Sequence, residues 1–333
     1  LAEYPKEQLG KTYTFSQDTV PPEGGKYLLV YTMNQTGEML TPLAIRAWDE
    51  WTSDLQNDFL ISTSSKNSQS KPRLLINDDH AFIVWHSKDS DIDSNIRGRI
   101  IDISTGIGLD NDFLVNTTNV GSTKCYPQVA VKNNSALVVW QSGYGNDIDI
   151  RGRIIDVTTG SGLHDDFLIS TTYLNSQINP VLSLFNNRAL IVWQSNENSS
   201  NYIIRGRIID IISGAGIGDD FLVSTSNENN QYSPQVVTVE NRALVVWNSL
   251  VSEENLDIRG RMIDMTPGAG VGGDFPVSTT NANSQMGPQV SIQDNTALVV
   301  WNSNDNGSSY LIRGRIIDMT SGPRDNSDFL VST

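Results

Sequence analysis

The chain has 333 residues, is 38% hydrophobic, and carries 23 basic against 38 acidic residues, a net charge of −15 at pH 7. Such an excess of negative charge repels a phosphate backbone, which excludes nucleic acid as a partner. No apolar run reaches the roughly 20 residues of a membrane-spanning helix, so the sequence predicts no membrane span. The length allows two average domains or one large all-β domain.

The N-terminus and the single cysteine bear on the compartment. Residues 1–10 are predicted to be an N-terminal extension, because they precede the first strand-like segment. The chain begins with Leu1 and shows no signal peptide, as a secreted protein does after processing and as a fragment does equally. Cys125 has no second cysteine to pair with in the chain. A half-buried or surface thiol is therefore favoured over an intermolecular bridge.

A 54-residue repeat organises most of the chain. The heptapeptide IRGRIID occurs at 96–102, 150–156, 204–210 and 312–318, and IRGRMID occurs at 258–264. The phenylalanine of the motif DFL or DFP recurs every 54 residues, and the tryptophan that ends each apolar run keeps this spacing to within one residue. Internal repeats of this length are typical of propellers and other repeat architectures.

Each unit is predicted to contain four strands. In one copy DFLVNT (112–117) is the first, PQVAVK (127–132) the second, SALVVW (135–140) the third and DIRGRIIDV (149–157) the fourth. Asn- and Asp-rich turns join the second strand to the third, which suits hairpins because these residues accept positive φ. Gly-rich loops such as TGIG follow the fourth strand. ALVVW and RIIDI are apolar on both faces, as expected for strands between two neighbouring sheets.

The strand count predicts an all-β, six-bladed β-propeller with four strands per blade. Residues 11–49 hold a degenerate unit of three strands, and the chain ends on the unpartnered strand SDFLVST. The C-terminal strand is predicted to complete the first blade and remove its open edge. Closure of the first blade of a neighbouring molecule is the alternative, disfavoured by effective concentration. One domain, 11–333, would contain blades at about 11–49 plus 328–333, 58–103, 112–157, 166–211, 220–265 and 274–319.

Residues 55–333 resemble a known repeat family. The segments DFLVST, PQV, NRALVVW and DIRGR are similar to the tandem repeats of large secreted proteins of bacteria and protists, with the pattern F-x-V-x-T, P-x-V and V-V-W-x-S. The R-G-R core departs from that pattern. The resemblance implies an extracellular propeller or adhesin-like module, and it is tied to no single activity.

The heptapeptide arginines are predicted to be structural. Each unit also carries an aspartate before the DFL phenylalanine and another that closes the heptapeptide. The two arginines of a unit are therefore matched in number by two aspartates. Arginine suits bidentate pairing with carboxylates and stacking on a nearby tryptophan. Internal ion pairing is therefore favoured over ligand binding for the ten arginines, which are Arg97, Arg99, Arg151, Arg153, Arg205, Arg207, Arg259, Arg261, Arg313 and Arg315.

The tryptophans divide into two groups. Those at the end of an apolar strand are predicted to be core residues, although a ring of sugar-stacking sites is the alternative. Trp48 and Trp51 fall outside this register and are candidates for exposed contacts. The core group comprises Trp85, Trp140, Trp193, Trp247 and Trp301.

Two short patterns resemble a metal-binding loop and a glycosylation site. Asp89-Ser-Asp91-Ile-Asp93 and the segment from Asn302 echo the alternating oxygens of a calcium loop, but the pattern is not kept in equivalent loops. No cofactor is predicted, with calcium as the weaker alternative. Five sequons lie in predicted turns, loops or strand ends, where a glycan is tolerated. Their asparagines are Asn34, Asn116, Asn133, Asn198 and Asn306.

Catalytic motifs are missing from the sequence. His80, His86 and His164 stand at three unrelated repeat positions, and there is no nucleophile elbow, phosphate-binding loop or Cys/His metal spacing. A carboxylate pair assembled from several blades stays open, because propeller channels gather residues from many blades. Blade-specific candidates for such a pair are Glu38, Glu50, Glu253 and Glu254.

Near-identical units favour scaffolding over catalysis. The sequence therefore predicts a non-catalytic, extracellular or cell-surface structural or adhesive propeller, a subunit of a larger assembly or filament. Its expected partners are copies of itself or other extracellular proteins and glycans. One alternative is a lectin-like carbohydrate-binding propeller, and the second is a glycoside hydrolase with an unrecognised carboxylate pair.

Overall fold

The computed structural model describes backbone and side chains over most of the repeats and backbone alone for two N-terminal strands, 27–30 and 43–46. Leu1–Leu60 and Ile61–Thr333 are two compact units, described separately below. The other described residues are 60–63, 68–89, 94–118, 123–171, 175–196, 201–225, 229–252, 255–266, 268–279, 283–305, 307, 309–324 and 327–332.

In the N-terminal unit the described residues form one antiparallel pair. Strand β1 (Tyr27–Val30) pairs with β2 (Leu43–Arg46), with Tyr27 opposite Arg46. Trp48, Trp51, Glu38, Glu50 and the sequon at Asn34 lie outside the described residues, so their predicted roles stay predictions.

The second unit consists of five antiparallel sheets of the same design. Strand order follows chain order in each, and the described residues contain no helix. Sheet I holds β3 (Gln69–Asn77), β4 (His80–Lys88), β5 (Ser94–Asp102) and β6 (Phe113–Leu114). Sheet II holds β7 (Thr123–Lys132), β8 (Ser135–Tyr144), β9 (Asp147–Asp156) and β10 (Phe167–Leu168). Sheet III holds β11 (Gln177–Phe185), β12 (Arg188–Ser195), β13 (Ile203–Asp210) and β14 (Gly216–Leu222).

The last two sheets repeat this pattern. Sheet IV holds β15 (Gln231–Val239), β16 (Arg242–Leu250), β17 (Leu256–Asp264) and β18 (Ala269–Pro276). Sheet V holds β19 (Gln285–Gln293), β20 (Thr296–Ser303) and β21 (Leu311–Asp318), whose outer edge pairs with both β22 (Gly322–Pro323) and β23 (Phe329–Leu330). The all-β class with four-stranded antiparallel sheets is confirmed, whereas the predicted count of six is not, because five such sheets are described.

The DFL strand belongs to the preceding sheet, contrary to the prediction. Phe113 pairs with Gly98 of β5, so each DFL segment is the fourth strand of a sheet and not the first strand of the next. Phe329 likewise pairs with Gly314 of β21, which places the C-terminal strand in sheet V. The predicted completion of the first blade by residues 328–333 is therefore wrong. The prediction failed because a 54-residue period fixes the spacing of strands and leaves their grouping open.

The hydrophobic core lies between consecutive sheets. In β8, Val138 and Trp140 pack against sheet I, whereas Leu137 and Val139 pack against sheet III. Successive side chains of a strand point to opposite faces, so the run ALVVW is buried on both sides, as predicted. The sheets approach one another along their first strands, an arrangement typical of propeller blades.

The turn between the first two strands of each sheet has the predicted hairpin chemistry. Its first residue adopts a left-handed conformation, with φ between 50° and 53°. Asparagine and aspartate accept this conformation readily, and glutamate does not. The five residues are Asp78, Asn133, Asn186, Glu240 and Asp294.

Candidate functional site

The first arginine of each heptapeptide pairs with the aspartate before the DFL phenylalanine. In sheet II, Arg151 Nη2 lies 2.6 Å from Asp166 Oδ1, and Asp166 is buried. The backbone N–H of Thr117, in the fourth-strand segment of sheet I, donates to the other carboxylate oxygen at 2.7 Å. These hydrogen bonds outweigh burial and lower the pKa of Asp166 to about 2. The pair therefore joins one sheet to the next.

The same connection is present at every described sheet junction. Arg97, Arg205, Arg259 and Arg313 pair with Asp112, Asp220, Asp274 and Asp328 respectively. Asp220, Asp274 and Asp328 each accept a hydrogen bond from a threonine that follows the fourth strand of the preceding sheet, namely Thr171, Thr225 and Thr279, and Asp112 accepts one from Thr63.

The second arginine of the heptapeptide binds backbone carbonyls. Arg153 Nε donates to the His164 carbonyl at 2.7 Å, and its Nη1 donates to the Val115 carbonyl of sheet I at 2.9 Å. A Cβ atom on Gly162 would lie 2.1 Å from this guanidinium, so the loop glycine is required by the close approach of the arginine. Matching contacts to the preceding sheet are made by Arg207, Arg261 and Arg315, and Arg99 donates to the carbonyl of Ile61.

The aspartate that closes the heptapeptide caps its own turn and does not take part in the predicted ion pairing with the heptapeptide arginines. Asp156 Oδ1 accepts hydrogen bonds from the backbone N–H of Thr158 and Thr159 at 2.8 and 3.1 Å. These donors and the Thr158 hydroxyl lower the pKa of Asp156. Asp102, Asp210 and Asp318 accept the corresponding pair of bonds.

The repeat tryptophans are core residues and do not stack on ligands. Their exposed fractions are between 0 and 4%. In four sheets the indole Nε1 donates to a glutamine of the first strand, for example Trp193 to Gln177 at 2.7 Å. Sheet II departs from this pattern, because Lys124 takes the glutamine position and Trp140 Nε1 is buried without a hydrogen-bond partner. The other indoles bound in this way are Trp85, Trp247 and Trp301.

Two sequons fall within the described residues. Asn116 is 2% exposed, and its Oδ1 accepts the Ile96 N–H at 2.8 Å while its Nδ2 donates to Asn95. A glycan on that nitrogen would have no space, which removes Asn116 as a candidate. Asn133 is exposed in the turn between β7 and β8. Asn198 and Asn306 lie outside the described residues.

Asp89, the aspartate of the predicted calcium pattern at 89–93 that lies within the described residues, makes contacts with neighbouring side chains. Asp89 accepts hydrogen bonds from Asn95 at 2.9 Å and from Arg97 at 3.4 Å, which lowers its pKa despite burial. Asp91 and Asp93 lie outside the described residues. No group of three or more His, Cys, Asp or Glu in the described part of the chain could hold a metal ion.

Sheet II carries two carboxylates, those of Asp147 and Asp149, that the sequence did not predict as a site. Together with Tyr144 they form what we call the carboxylate hairpin. Strand β8 ends at Tyr144 and β9 begins at Asp147, so Gly145 and Asn146 form a two-residue turn. Asp147 and Asp149 share one face of β9, because alternate residues of a strand do. Tyr144 stands opposite Asp147 and is 80% exposed.

The two carboxyl groups differ in environment. Asp147 is exposed, whereas Asp149 is partly buried and its Oδ1 accepts a hydrogen bond from Ser170 Oγ at 3.1 Å. Burial raises the pKa of Asp149 and the charge of Asp147 raises it further, against the opposing effects of Ser170 and Arg151. Arg151 compensates little because it is committed to Asp166. An acid with a raised pKa beside an exposed carboxylate is the arrangement that acid–base catalysis requires.

A second aspartate occupies the same repeat position in sheet IV. Burial raises the pKa of Asp257, which stands opposite Ser249 as Asp149 stands opposite Ser142. The residue two positions before it is Asn255, so the position that corresponds to Asp147 carries no carboxylate in sheet IV. The signal for both sites was in the sequence, as Asp-Ile-Arg in two of five units, but burial was needed to make it meaningful.

The remaining candidates do not assemble into a relay. His86 Nδ1 lies 3.2 Å from Ser70 Oγ, and burial followed by the charge of Lys71 lowers its pKa. Cys125 is half-buried, and burial raises the pKa of its thiol. Glu253 and Glu254 lie outside the described residues. No helix in the described part of the chain has the length and hydrophobicity to cross a bilayer.

No protein-family model matches the sequence, and no curated protein is significantly similar to it. Solved structures do match. The GH93 α-L-arabinofuranosidase of Fusarium graminearum in complex with arabinobiose has a TM-score of 0.51 and 11% identity, over 74% of this chain and 80% of that chain. A structure of the Fusarium graminearum α-L-arabinofuranosidase with an iminosugar inhibitor has a TM-score of 0.50 and 10% identity, over 76% and 83%. A GH43 endo-arabinanase from Bacillus licheniformis has a TM-score of 0.42 and 13% identity, over 79% and 99%.

These structures correct the functional prediction. The two Fusarium graminearum structures are of α-L-arabinofuranosidases, not of structural or adhesion proteins. They contradict the prediction of a non-catalytic structural or adhesive module and favour the second alternative, a glycoside hydrolase. At 10–11% identity the likeness to the Fusarium graminearum enzyme shows the fold alone. The chain shares the all-β fold of that enzyme.

Proposed function

We propose that the chain is a glycoside hydrolase and that the carboxylate hairpin of sheet II is its catalytic pair. The observation that carries the proposal is the raised pKa of Asp149 beside the exposed carboxylate of Asp147. Hydrolysis of a glycosidic bond uses two such groups in unlike environments. The proposed substrate class comes from the GH93 α-L-arabinofuranosidase of Fusarium graminearum, which was solved in complex with arabinobiose.

Asp149 is the general acid. Its proton passes to the glycosidic oxygen as the bond between that oxygen and the anomeric carbon breaks, so the leaving sugar departs as an alcohol. Burial keeps the proton on Asp149 to a higher pH than an exposed aspartate would allow. The hydrogen bond from Ser170 Oγ fixes the orientation of the carboxyl group.

Asp147 is the general base. It removes a proton from a water molecule whose oxygen attacks the anomeric carbon from the side opposite the leaving group. The proposal places the attacking water between the two carboxyl groups, and a product of inverted anomeric configuration is what this arrangement would give.

Two further residues shape the hairpin. The exposed ring of Tyr144 offers an apolar surface on which a sugar ring can stack. A Cβ atom on Gly143 would lie 2.0 Å from the carbonyl oxygen of Asp147, so only glycine permits this approach of β8 and β9. Gly143 is thus a positioning residue for Asp147.

The proposal includes a corrected six-bladed architecture. If the strands are grouped as in sheets I to V, the sequence of residues 11–60 would hold the four strands of a sixth unit, ending on DFL at 58–60. The antiparallel pairing of β1 with β2 supports this grouping, since these correspond to the second and third strands of a sheet. Six units of four strands then need no exchange of the C-terminal strand. An extracellular location, self-association and the resemblance to secreted repeat proteins remain part of the proposal.

The test is an activity assay with product analysis. The full chain would be incubated with linear arabinan, branched arabinan, arabinoxylan and galactan, and reducing ends would be measured over time. We expect release of sugars from an arabinose-containing substrate, with proton NMR showing inverted anomeric configuration in the first product formed. Binding of a glycan without release of reducing ends would instead support the lectin-like alternative and overturn the catalytic proposal.

A further inference from the structure

We propose that a cavity between sheets III and IV is a second, non-catalytic binding site for a neutral oligosaccharide. The cavity has a volume of about 350 Å³ and is lined by the turns joining β11 to β12 and β15 to β16, together with Asp210 and Met265. Its size lies at the lower end of the range for ligand pockets. The inference rests on the proposed function for its ligand class, since a chain that hydrolyses a polysaccharide must also hold it.

The cavity and the carboxylate hairpin lie at opposite ends of the sheets. The hairpin joins the second strand of a sheet to the third, whereas the cavity is lined by turns that join the first strand to the second. In an antiparallel sheet these connections fall at opposite edges. A sugar in the cavity therefore touches neither Asp147 nor Asp149, and the site would anchor a chain away from the cleavage point.

The lining offers hydrogen-bond groups suited to sugar hydroxyls. Asn186, Asn187 and Asn241 supply amides, and Asp210 and Glu240 supply carboxylate oxygens that accept from hydroxyl groups. Arg188 is held in place because its Nη1 donates to the Met265 carbonyl at 3.0 Å. Met265 is also 1% exposed and contributes apolar atoms beneath this polar rim. Mixed polar and apolar lining of this kind fits a sugar ring, which carries both surfaces.

The charge of the cavity lining favours a neutral sugar as its ligand over an anion or a metal ion. Hydrogen bonds from Ser213 and Ile212 and the charge of Arg188 lower the pKa of Asp210, which keeps it ionised. Two carboxylates on a chain of net charge −15 disfavour an anionic ligand. The described residues hold no cluster of three metal-ligating side chains, which disfavours a metal ion.

Glu240 is an independent sign of function. It adopts φ of 50°, which is a left-handed conformation. The four equivalent turn positions are occupied by asparagine or aspartate. Glutamate is unfavourable there, because only short polar side chains stabilise that conformation locally. Residues held against their conformational preference cluster at functional sites. Glu240 lines the cavity together with Asp210.

The experiment uses Glu240→Asn in the full-length chain that also carries Asp149→Asn, so that the sugar stays intact. Arabinotriose, xylotriose, cellotriose and galactotriose would be titrated in turn, with amide NMR signals of Asn186, Asn187 and Asn241 recorded. We expect one of them to shift these signals and Glu240→Asn to weaken its binding about ten- to a hundredfold, the value of hydrogen bonds to a charged group. Glu240→Asn should also raise the melting temperature, because asparagine suits the turn.

Asp294→Asn is the matched control, since Asp294 holds the same turn position in sheet V. It should leave the affinity for the triose unchanged. Equal affinity in the Glu240→Asn chain, or no binding of any of the four trioses, would overturn the inference. If the unmodified chain hydrolyses no glycan but Glu240→Asn still weakens triose binding, the cavity site stands and the hydrolase proposal fails.

Discussion

Sheets II and IV carry the same aspartate at the same place and differ around it. Asp149 and Asp257 both follow the second-to-third strand connection, both oppose a serine, and burial raises the pKa of both. Sheet II adds Asp147 two residues earlier, whereas sheet IV has Asn255 there. The 54-residue repeat therefore supplies a place for an acid, and local substitutions determine whether a second carboxylate stands beside it.

The two sheets also differ in how tightly their repeat contacts are made. Arg151 approaches Asp166 to 2.6 Å, while Arg259 and Asp274 are 3.2 Å apart. Arg259 Nε and Asp274 Oδ2 are buried without hydrogen-bond partners. The carboxylate hairpin thus lies on the sheet in which Arg151 pairs closely with Asp166. This pairing leaves the negative charge of Asp149 with little compensation.

The largest expected difference between the sheets is in catalysis. Asp149→Asn should lower the rate of hydrolysis by about 10²- to 10⁴-fold, the contribution of a general acid. Asp257→Asn should leave the rate unchanged, because the position two residues before it, which corresponds to Asp147, is occupied by Asn255. Initial rates of both variants on the same arabinan, with melting temperatures as a check on folding, measure the contrast. Equal rates in the two variants would remove Asp149 from the mechanism.

Much of the fold could be predicted from spacing alone. The period of 54 residues, the alternating apolar runs and the Asn- and Asp-rich turns predict four-stranded antiparallel sheets buried on both faces. The grouping of strands could not be predicted, because a period is the same whichever strand is counted first. The pairing of Phe113 with Gly98 decides it.

The candidate site could be predicted less well than the fold. Asp147 and Asp149 are two of 38 acidic residues, and the one sequence pattern that includes Asp149, Asp-Ile-Arg, is shared with Asp257 and does not reveal its environment. Their difference depends on the burial of Asp149 and on the commitment of Arg151 to Asp166, both of which arise from packing between sheets. The near identity of the units also pointed away from catalysis, although a single substitution in one unit is enough to distinguish it.

The next largest effect concerns the arginine–aspartate pairs. Arg151→Gln leaves Asp166 buried beside Thr117 without its cation, which should lower the free energy of unfolding by about 3 kcal/mol. Arg259→Gln should cost less, because the pair is longer and already incompletely hydrogen-bonded. Urea unfolding of both variants at pH 7 measures the difference. A larger loss for Arg259→Gln would contradict the view that sheet II has the tighter pair.

A smaller effect is expected at the tryptophans. Lys124→Gln gives sheet II the glutamine that accepts the indole N–H in the other four sheets, and Trp140 Nε1 would gain a partner. The free energy of unfolding should rise by about 1 kcal/mol, the net value of one hydrogen bond. The reverse change in sheet IV, Gln231→Lys, should destabilise by removing the bond to Trp247. A decrease on Lys124→Gln would mean that the contacts of the lysine itself matter more than the indole partner.

The smallest effect is the stability gained at neutral pH when either of the two aspartates with a raised pKa is replaced by asparagine. An unfolded aspartate has a pKa of about 3.9, and burial raises that of Asp149 and Asp257 in the folded protein. Below about pH 4 each carboxyl is protonated in both states, so ionisation carries no penalty. As pH rises through the folded pKa the native protein must ionise a buried group, and stability falls. Asp149→Asn and Asp257→Asn should therefore gain about 0.5 kcal/mol at pH 7 and nothing at pH 3.

Asp166→Asn supplies the opposite sign in the same titration. The pKa of Asp166 is about 2 in the folded protein, so its stabilising contribution is present above about pH 4 and disappears as pH falls towards 2. The variant should be less stable than the unmodified chain at pH 7, and the two should converge in acid. Melting temperatures of all three variants between pH 2 and pH 8 would then diverge in two directions from a common acidic limit. Because Arg151 acts on both Asp149 and Asp166, such divergence would show that one guanidinium stabilises the ionised form of Asp166 more than that of Asp149.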